Sequence, residues 1–432
     1  MHALVVGSGG REHAISTKLA ASPLIEDVYC APGNAGMARD GIIVAPIPIN
    51  DHDALIRLCS DEGIGLVVVG PEAALMAGIV DDLQAAGTAV FGPNAEAALI
   101  EGSKEFAKQI MEAAGVPTAK HRVFTDFLEA EAFVHATGAP IVIKADGLAA
   151  GKGVVVATTE DEAIAALRRM LLDEEFGSAG RRVVVEEFLE GEEFSLMAFV
   201  SGTDVYPMVI AQDHKRALEG DRGPNTGGMG AYSPVPQISE EMVERSVNEI
   251  LKPTAARMAE VGRPFTGVLY AGLIATADGP KVIEFNARFG DPEAQVVLPR
   301  MRSDLAKVML DVLQGVEPQV EWDEDGCCVG VVVAADGYPG SPVVGGPLPD
   351  FDAYRQTTEN VGDGGAPKVY FSGVEEKNGE LVSAGGRVYL VSATAKNMAD
   401  AQRRVYETLN EWDTQDTFYR HDIGYRALNP GL

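Results

Sequence analysis

Short apolar runs alternate with amphipathic stretches of helical length over the first hundred residues. The apolar runs are Ala3–Val6, Val28–Ala31, Leu66–Val69 and Ala89–Phe91. Each run ends in a turn that contains glycine or proline, and such runs separated by helices are typical of βαβ units with a parallel sheet. Ligands of parallel sheets bind at the carboxyl ends of the strands. Because the glycine-rich turns lie at those ends, we expect part of a binding site there.

The rest of the chain mixes helices and strands without this regular alternation. Helical spacing predicts helices over Ser103–Gly115, Glu160–Leu172, Ser303–Leu313 and Met398–Leu409. Apolar and β-branched runs predict strands at Ile141–Lys144, Val183–Phe188, Leu196–Val200, Val205–Ile210, Val268–Ile274 and Val282–Phe285. We therefore predict an α/β and α+β multidomain protein. Its domains are an N-terminal parallel α/β domain over 1–102, a mixed central domain over 103–325 and a small C-terminal α+β domain over 326–432.

The charge balance excludes several classes of partner. The 432 residues include 35 Lys and Arg against 64 Asp and Glu, which gives a formal net charge of −29 at pH 7. Nucleic acids and anionic membranes bind through dense basic patches, so we expect neither as a partner. The N-terminus has no basic segment followed by a long apolar one, and no apolar run reaches the ~18 residues of a membrane span. We therefore expect a cytoplasmic protein.

The first glycine loop follows the first predicted strand and opens a helix. It reads Gly7-Ser8-Gly9-Gly10-Arg11-Glu12-His13. A dinucleotide-binding loop would carry a third glycine where Glu12 stands. It would also be followed by an acidic residue at the end of the second strand, where this sequence has Gly33-Asn34. The backbone N–H groups of this loop could bind one phosphate, with Arg11 nearby. A tight turn that merely needs glycine is the alternative.

The segment from Ile141 to Val156 combines a lysine at a strand end with a glycine-rich turn and a second strand. It resembles a P-loop, but only three residues precede the Gly-Lys pair, and Gly153 stands where that motif needs Ser or Thr. We predict instead a β-hairpin flap whose amides lie over a polyphosphate, with Lys144 as a point charge. A hairpin without a ligand is the alternative.

Two later segments carry oxygen-bearing side chains on predicted strands. Val183–Glu193 ends in carboxylates, which suits a nucleotide site but also a solvated strand edge. In Lys281–Glu293, Glu284 and Asn286 share one face of a strand because residues two apart do so. Oxygen atoms of this kind suit Mg²⁺. Arg288, two residues after Asn286, would share the same face and is placed to stabilise a phosphoryl group during its transfer. Simple hydrogen bonding at the strand end is the alternative.

The order of these motifs resembles one known family. Along the chain they read GSGGREHA, APGNAG, GPE, GSKEFAK, IKADGLAAGKGV, EEFLEGEE, QDHKR, GPNTGGMGAYSP and EFNARFGDPE. The set is similar to the phosphoribosylamine–glycine ligase family of the ATP-grasp superfamily, and the last two motifs are specific to that family. The resemblance implies a pre-ATP-grasp N-terminal domain and an ATP-grasp central domain of two α+β lobes, with a flap-bearing lobe at about residues 120–192.

The resemblance also implies which residues form the site. It places ATP between the two lobes, held by Lys104, Lys144, Gly151, Lys152, Gly153, Glu186, Glu187, Phe188, Leu189 and Glu193. The substrate-binding residues would be Gly9, Gly10, Arg11, Asn34, Pro71, Glu72, Asp213, Lys215 and Asp291. Glu284 and Asn286 would bind Mg²⁺ or Mn²⁺, and Arg288 and Lys144 would be catalytic. Members of the wider superfamily often carry a further metal-binding Glu, where this chain reads Val268–Gly272.

The implied reaction joins glycine to 5-phosphoribosylamine with ATP, through a glycyl phosphate, in purine biosynthesis. It gives glycinamide ribonucleotide, ADP and phosphate. The partners would be these small molecules, and the chain would be a monomer or a weak homodimer. Three alternatives stay open: an ATP-grasp ligase or carboxylase acting on another acid, a dinucleotide-dependent oxidoreductase, and a non-catalytic nucleotide sensor.

Overall fold

A five-stranded parallel sheet forms the N-terminal region of the computed structural model, which describes residues 1–147, 153–173, 180–358, 365–412 and 415–429. The strands are β1 (His2–Gly7), β2 (Val28–Pro32), β3 (Ile43–Val44), β4 (Ile64–Val69) and β5 (Val90–Phe91). The helices are α1 (Gly10–Ala20), α2 (Ala35–Arg39), α3 (His52–Asp61), α4 (Glu72–Met76), α5 (Ile79–Ala85) and α6 (Ala95–Gly102). The strand order is β3-β2-β1-β4-β5 and every pair is parallel, which confirms the predicted sheet.

Burial on both faces of the sheet explains why β1 is a continuous apolar run. Leu4 and Val6 pack into one hydrophobic core, whereas Ala3 and Val5 pack into another. Successive side chains of a strand point to opposite faces, and a parallel sheet covered by helices buries both of them. The turns that follow β1 and β4 consequently emerge at one edge of the sheet.

The first lobe of the central region is built on an antiparallel sheet. Its elements, with the helix that leads into them, are α7 (Lys104–Ala114), β6 (His121–Phe124), α8 (Phe127–Thr137), β7 (Ile141–Ala145), β8 (Val154–Ala157), α9 (Glu160–Leu171) and β9 (Val183–Glu187). The strand order is β6-β9-β7-β8, and β7 and β8 are antiparallel, as the predicted hairpin requires. Side chains of α8 and α9 form a separate hydrophobic core with this sheet.

The second lobe contains the longest strands of the central region. Its elements are β10 (Glu192–Gly202), β11 (Asp204–Pro207), β12 (Gln212–Asp213), β13 (Arg216–Leu218), β14 (Arg222–Asn225), β15 (Gly230–Ser233), α10 (Glu240–Ser246), α11 (Lys252–Glu260), β16 (Phe265–Thr276), β17 (Gly279–Asn286), α12 (Ala294–Val297) and α13 (Leu305–Leu313). Its main sheet has the order β11-β10-β16-β17. Val282 of β17 also forms a parallel bridge to Thr118, so the edge of this sheet contacts the segment that leads into the first lobe.

The C-terminal region shares a sheet with the central region. Its elements are β18 (Cys327–Ala335), α14 (Phe351–Thr358), β19 (Lys368–Phe371), β20 (Val374–Lys377), β21 (Glu380–Ser383), β22 (Arg387–Ala395), α15 (Met398–Glu411), β23 (Thr417–Phe418) and α16 (Tyr425–Leu428). The sheet order is β12-β15-β18-β22-β19, because β15 pairs with β18 in an antiparallel ladder. This sheet therefore joins residues on both sides of the position, 325/326, at which the sequence suggested a domain boundary.

Local sequence sets the bounds of α7, the helix that leads into the first lobe. The Ser103 side chain caps it by accepting a hydrogen bond from the backbone of Phe106, and Gly115 ends it with a φ of +67°. Serine and left-handed glycine are the residues preferred at these two positions. Within the described ranges, no helix combines the length and the apolar character needed to cross a membrane.

Candidate active site

A cavity of about 710 Å³ lies where the N-terminal, central and C-terminal regions meet. It is lined by many of the residues that the sequence singled out, namely Arg11, Pro71, Glu72, Lys104, Lys144, Gly153, Glu186, Glu187, Phe188, Leu189, Glu193, Asp213, Lys215, Glu284, Asn286, Arg288 and Asp291. Gly9, Gly10 and Asn34 are described by the structure but lie outside this lining. Gly151 and Lys152 lie outside the described residues.

One end of the cavity begins at the start of α7, where Lys104 is the first helical residue. Asp146, just after β7, fixes this helix start. Its Oδ1 accepts hydrogen bonds from the Ser103 hydroxyl and from the Glu105 N–H, both at 3.1 Å. The same contacts tie the start of α7 to the strand that carries Lys144, so two lysines predicted to bind phosphate reach one cavity.

Lys144 is buried on β7 and pairs with Glu186 on the neighbouring strand β9. Its Nζ lies 2.8 Å from Glu186 Oε2 and donates to the Ile283 carbonyl at 2.9 Å. Lys108 of α7 lies 3.0 Å from the other Glu186 oxygen. Burial raises the pKa of Glu186, but Lys144 and Lys108 outweigh that effect and lower it. Glu186 is therefore ionised between two lysines.

The end of β9 leads to the mouth of the cavity. Glu187 is bonded to Lys120, because its N–H donates to the Lys120 carbonyl at 2.9 Å and its Oε1 accepts from the Lys120 N–H at 3.0 Å. Phe188, the next residue, is exposed. Further along, Glu193 lies 3.0 Å from Lys215 Nζ. With the Glu187 side chain bonded in this way, contacts from this segment to a base would come from the backbone.

Strand β17 places the two predicted metal ligands at the cavity. Its register with β16 shifts by one residue just before Glu284, which makes Ile283 the extra residue of a β-bulge. Beyond the bulge the alternation predicted from the sequence continues. Phe285 is buried, whereas Glu284 and Asn286 are half-buried and line the cavity.

The charge of Glu284 suits a divalent cation. Burial raises the pKa of its carboxyl, but Lys215, Lys104 and Lys144 outweigh burial and lower it, so the group is ionised. Among the described residues, no cluster of three or more His, Cys, Asp and Glu side chains is arranged to hold a metal ion. A carboxylate and an amide oxygen with nucleotide phosphates form a donor set that Mg²⁺ accepts. Glu284 and Asn286 therefore fit a metal shared with the nucleotide.

Arg288 is held by two carboxylates and one carbonyl. Its Nη2 lies 2.9 Å from Glu101 Oε1, its Nε lies 3.3 Å from Glu72 Oε2, and its Nη1 donates to the Phe289 carbonyl at 3.1 Å. Burial lowers the pKa of Arg288, but Glu101 and Glu72 outweigh it and raise the value. The guanidinium is thus a fixed cation at the cavity wall, and Glu72 orients it.

Arg11 also lines the cavity, and its guanidinium has protein partners. Its Nε lies 2.6 Å from Glu12 Oε1, and its Nη1 donates to the Phe289 carbonyl at 3.2 Å. The other Glu12 oxygen accepts from the Gly9 N–H at 2.6 Å. Arg11 and Arg288 therefore share one carbonyl acceptor, which joins the first glycine loop to the end of β17.

Asp213 and Lys215 bring opposite charges to the middle of the cavity. Burial raises the pKa of Asp213 to about 7, with Lys215 opposing the shift and Glu293 adding to it. Burial lowers the pKa of Lys215, but Glu193 and Asp213 outweigh burial and raise it. Near neutral pH, Asp213 can therefore exchange a proton while Lys215 stays cationic. Such a pair is a candidate for binding an amine.

Arg387, from β22 of the C-terminal region, reaches the same cavity. Its Nη2 lies 2.8 Å from Asp291 Oδ2, and its Nη1 donates to the Gly227 carbonyl at 2.6 Å. The Gly227 N–H donates to the Tyr338 hydroxyl at 2.9 Å. The C-terminal region thus holds both the N–H and the carbonyl of Gly227, in the glycine-rich segment 223–232.

Gly10 of the first glycine loop and Asn34 after β2 contact the C-terminal region and lie outside the cavity lining. The Gly10 N–H donates to Ser372 Oγ at 2.9 Å, and Asn34 Nδ2 donates to the carbonyls of Ser8 at 2.8 Å and Phe371 at 3.1 Å. A Cβ at Gly10 would lie 2.9 Å from Ser372 Oγ. Close packing therefore explains this glycine, and the substrate-binding roles of Gly10 and Asn34 stay predictions.

The charged residues of the site that were not singled out in the sequence include Glu101, Lys108, Glu293 and Arg387. The first three lie within or beside motifs that the sequence identified, and the buried Glu293 carboxylate accepts from Tyr270 at 2.8 Å and from a serine hydroxyl at 3.0 Å. Their position in or beside a motif could have pointed to these three residues. The linear sequence does not show which side chains they contact. Arg387 contacts a residue 160 positions away and carries no motif.

The central region has the architecture of the ATP-grasp class, whose members use ATP with a divalent metal ion. Two lobes enclose a cavity that is lined both by the β7–β8 hairpin and by Glu284 and Asn286 of β17. The biotin carboxylase of Campylobacter jejuni in complex with an ATP analogue has a similar fold, with a TM-score of 0.71 at 14% identity over 99% of this chain and 95% of that chain.

The particular family follows from closer relatives. Models of the phosphoribosylglycinamide synthetase N domain, ATP-grasp (A) domain and C domain match residues 1–101, 102–294 and 328–426, and the chain belongs to this family. Phosphoribosylamine–glycine ligase of Halalkalibacterium halodurans is 56% identical over 99% of this chain and 97% of that protein. The Lactococcus lactis enzyme of the same name is 52% identical over 99% of this chain and 100% of that protein. The crystal structure of the Thermotoga maritima phosphoribosylamine–glycine ligase has a TM-score of 0.84 at 32% identity, covering 98% of this chain and 100% of that one.

Proposed function

We propose that this chain ligates glycine to 5-phosphoribosylamine with ATP, giving glycinamide ribonucleotide, ADP and phosphate, as a step of purine biosynthesis. One observation carries the proposal. One cavity is lined by most of the residues expected to bind nucleotide, metal and substrate in this reaction, in a chain whose relatives are named phosphoribosylamine–glycine ligase.

The proposed chemistry activates the glycine carboxylate first, because a carboxylate is a poor acyl donor. A carboxylate oxygen attacks the γ-phosphorus, the bond from that phosphorus to the β–γ bridging oxygen breaks, and glycyl phosphate and ADP form. The amine nitrogen of phosphoribosylamine then attacks the glycyl carbon, the bond to the phosphate oxygen breaks, and the nitrogen loses a proton. The protein contributes positioning, charge neutralisation and exclusion of water.

At the nucleotide end, Lys104 and Lys144 would bind the phosphates, and both line the cavity. The flap would add Gly151, Lys152 and Gly153. The adenine would meet Glu186 and the backbone of Glu187, Phe188 and Leu189, and the ribose would meet Glu193. Support comes from the burial of Lys144 and Glu186 beside an exposed strand end.

For the metal, we assign Glu284 and Asn286, with Mg²⁺ or Mn²⁺ as the ion. When bound, the ion supplies positive charge to the phosphate oxygens of the nucleotide. Arg288 would add a second fixed positive charge where the γ-phosphoryl group is transferred. This role of Arg288 is supported by two carboxylates, Glu72 and Glu101, that orient its guanidinium.

For the two other substrates, we assign the part of the cavity that faces the N-terminal and C-terminal regions. The residues proposed for these substrates are Gly9, Gly10, Arg11, Asn34, Pro71, Glu72, Asp213, Lys215 and Asp291. Of these, Gly9, Gly10 and Asn34 lie outside the cavity lining. Asp213 and Lys215 have the charges to bind an ammonium group and an anion, respectively. Arg11 and Asp291 lie where the first glycine loop and the second lobe meet.

The remaining proposals concern organisation. We propose domains over 1–102, 103–325 and 326–432, a monomer or a weak homodimer, and a cytoplasmic location. The sheet shared by β15 and β18 means that the last two domains are joined by a backbone ladder and not only by the chain.

The deciding experiment is a coupled assay of ADP release with the purified chain. We expect ADP formation that requires both glycine and freshly generated phosphoribosylamine. Bicarbonate and other small acids should replace glycine with less than about 1% of its rate, a difference of more than about 2.7 kcal/mol in transition-state free energy. Equal turnover with bicarbonate would contradict the proposal, and ATP binding without any turnover would favour the nucleotide sensor.

A further inference from the structure

A closed ring of polar contacts, here called the lysine ring, lies at the end of the cavity proposed to bind the nucleotide. Its members in order are the Val282 carbonyl, Thr118, Lys108, Glu186, Lys144 and the Ile283 carbonyl. Thr118 donates to the Val282 carbonyl at 2.8 Å, and Lys108 Nζ donates to Thr118 Oγ1 at 2.8 Å. The ring starts and ends on adjacent residues of β17, immediately before the predicted metal ligand Glu284.

The lysine ring links three parts of the fold that the nucleotide must bridge. Lys108 belongs to α7, Lys144 and Glu186 belong to the sheet of the first lobe, and the two carbonyls belong to the second lobe. The β-bulge at Ile283 breaks the regular ladder at the point where Lys144 donates to its carbonyl. The bulge thus leaves the Ile283 carbonyl as an acceptor for a lysine of the first lobe.

The ring carries two ammonium groups and one carboxylate, all nearly inaccessible. The side chains of Lys108, Lys144 and Glu186 are 3%, 4% and 4% exposed. A buried carboxylate that loses one of two cationic partners is left with an uncompensated charge unless another partner replaces it. If Lys144 moves toward a phosphate, Lys108 is the partner that still holds Glu186 in place.

We propose that Lys108 is a positioning residue for nucleotide binding: it holds Glu186 so that Glu186 faces the base and sets the position of Lys144. The proposal rests on the proposed function only in that the cavity binds an adenine nucleotide. Lys108 acts through Glu186, so its contribution disappears when Glu186 cannot carry a charge.

The test compares Lys108→Met, Lys108→Arg and the control Lys252→Met, which removes an exposed lysine from α11. The probe is Mg²⁺–ADP, titrated calorimetrically into the full chain. We expect Lys108→Met to weaken ADP binding by about tenfold, Lys108→Arg to recover part of the loss, and the control to stay within about twofold of the parent. In the ligase assay, KM for ATP should rise by the same factor while KM for glycine stays constant.

A double-mutant cycle separates positioning from a general structural role. In the Glu186→Gln background, Lys108→Met should change ADP affinity by less than about twofold. A full tenfold loss in that background, an unchanged affinity in Lys108→Met alone, or an equal rise in KM for glycine would each overturn the proposal.

Two controls separate the Lys108 proposal from a loss of folding and from a failure of the ligase assay. If Lys108→Met does not fold, Thr118→Val removes the hydroxyl that accepts from Lys108 while it keeps the side-chain shape. We then expect a smaller loss of ADP affinity, and an unchanged affinity would overturn the proposal. ADP titration does not depend on phosphoribosylamine turnover, so failure of the ligase assay and failure of the Lys108 proposal give different results.

Discussion

The nucleotide end of the cavity and the first glycine loop differ in what their polar groups contact. At the nucleotide end, Lys144 and Glu186 pair with each other and still line the cavity. At the first glycine loop, Gly10 and Asn34 are bonded to the strand end at Phe371 and Ser372 in the C-terminal region. Both segments carry motifs with glycine and charge, but Lys144 and Glu186 line the cavity, whereas Gly10 and Asn34 contact protein and only Arg11 of the glycine loop reaches the cavity.

This difference shows how much can be inferred from a glycine motif alone. Glycine indicates that something approaches the backbone closely, because it lacks a Cβ. At Gly10 the approaching group is a serine hydroxyl of the same chain. At Gly227 it is the guanidinium of Arg387, and the loop there also lines the cavity. The motif indicates the close approach, and the tertiary structure identifies the partner.

The largest effect should come from β17, the strand that carries the proposed metal ligands. We expect Glu284→Ala to lower turnover by about 1,000-fold, since it removes the anionic ligand of the proposed ion. The midpoint of thermal unfolding should shift by only a few degrees, because the side chain is half-buried beside a cavity. Steady-state ADP release measures the rate, with the exposed Glu317→Ala as the control. An unaltered rate would refute the metal assignment.

Lys144→Ala should have the next largest effect, on nucleotide affinity. We expect the Kd of Mg²⁺–ADP to rise by about 30-fold, because a buried cation and its contact with Glu186 are lost together. Calorimetric titration measures the Kd, and Lys252→Ala, an exposed position, serves as the control. Unchanged ADP affinity would count against a phosphate-binding role for Lys144. The polar groups at the nucleotide end would then have only structural contacts, as at Gly10 and Asn34.

Asn34→Ala tests the other side of the comparison. Because Asn34 donates to carbonyls of two regions, we expect the free energy of unfolding to fall by about 2 kcal/mol. ADP affinity should stay within about twofold of the parent. Urea unfolding measures the stability, and Asn248→Ala, at an exposed position, is the control. Full stability together with a lost response to phosphoribosylamine would show that Asn34 binds substrate instead.

The smallest effect concerns the pH dependence of glycine use. Burial raises the pKa of Asp213 to about 7, so its carboxyl is neutral below that pH and anionic above it. If Asp213 faces the ammonium group of glycine, kcat/KM for glycine should rise about tenfold per unit below pH 7 and level off above it. Asp213→Asn should flatten this profile. A parent profile that is flat between pH 6 and pH 8 would refute the role of Asp213.

Much of the fold could be predicted from local patterns. Ser103 and Gly115 marked the ends of α7 because a serine cap and a left-handed glycine act through their own backbone neighbourhood. The hairpin of β7 and β8 also followed from adjacent residues. The sheet that pairs β15 with β18 could not be predicted in this way, since it joins segments about a hundred residues apart and depends on packing between regions.

The features of the candidate site also divide into those that local sequence predicts and those that depend on tertiary packing. Glu284 and Asn286 were paired correctly by strand parity, because a strand alternates its side chains whatever surrounds it. The bulge at Ile283 and the burial of His214 were not foreseen. His214 is buried, and its Nε2 accepts a hydrogen bond from the Gly424 N–H at 3.1 Å.

The sequence by itself determined the chemical groups that this protein can use: the strands and which residues share a face of them, the glycine turns, the lysines and the side chains that carry oxygen. These features depend on residues close together in the chain. The tertiary structure alone decided which groups meet. It placed Lys108 against Glu186, Glu101 against Arg288 and Arg387 against Asp291. Such charge pairs form only when burial brings distant segments together, so their partners cannot be seen in the linear order of residues.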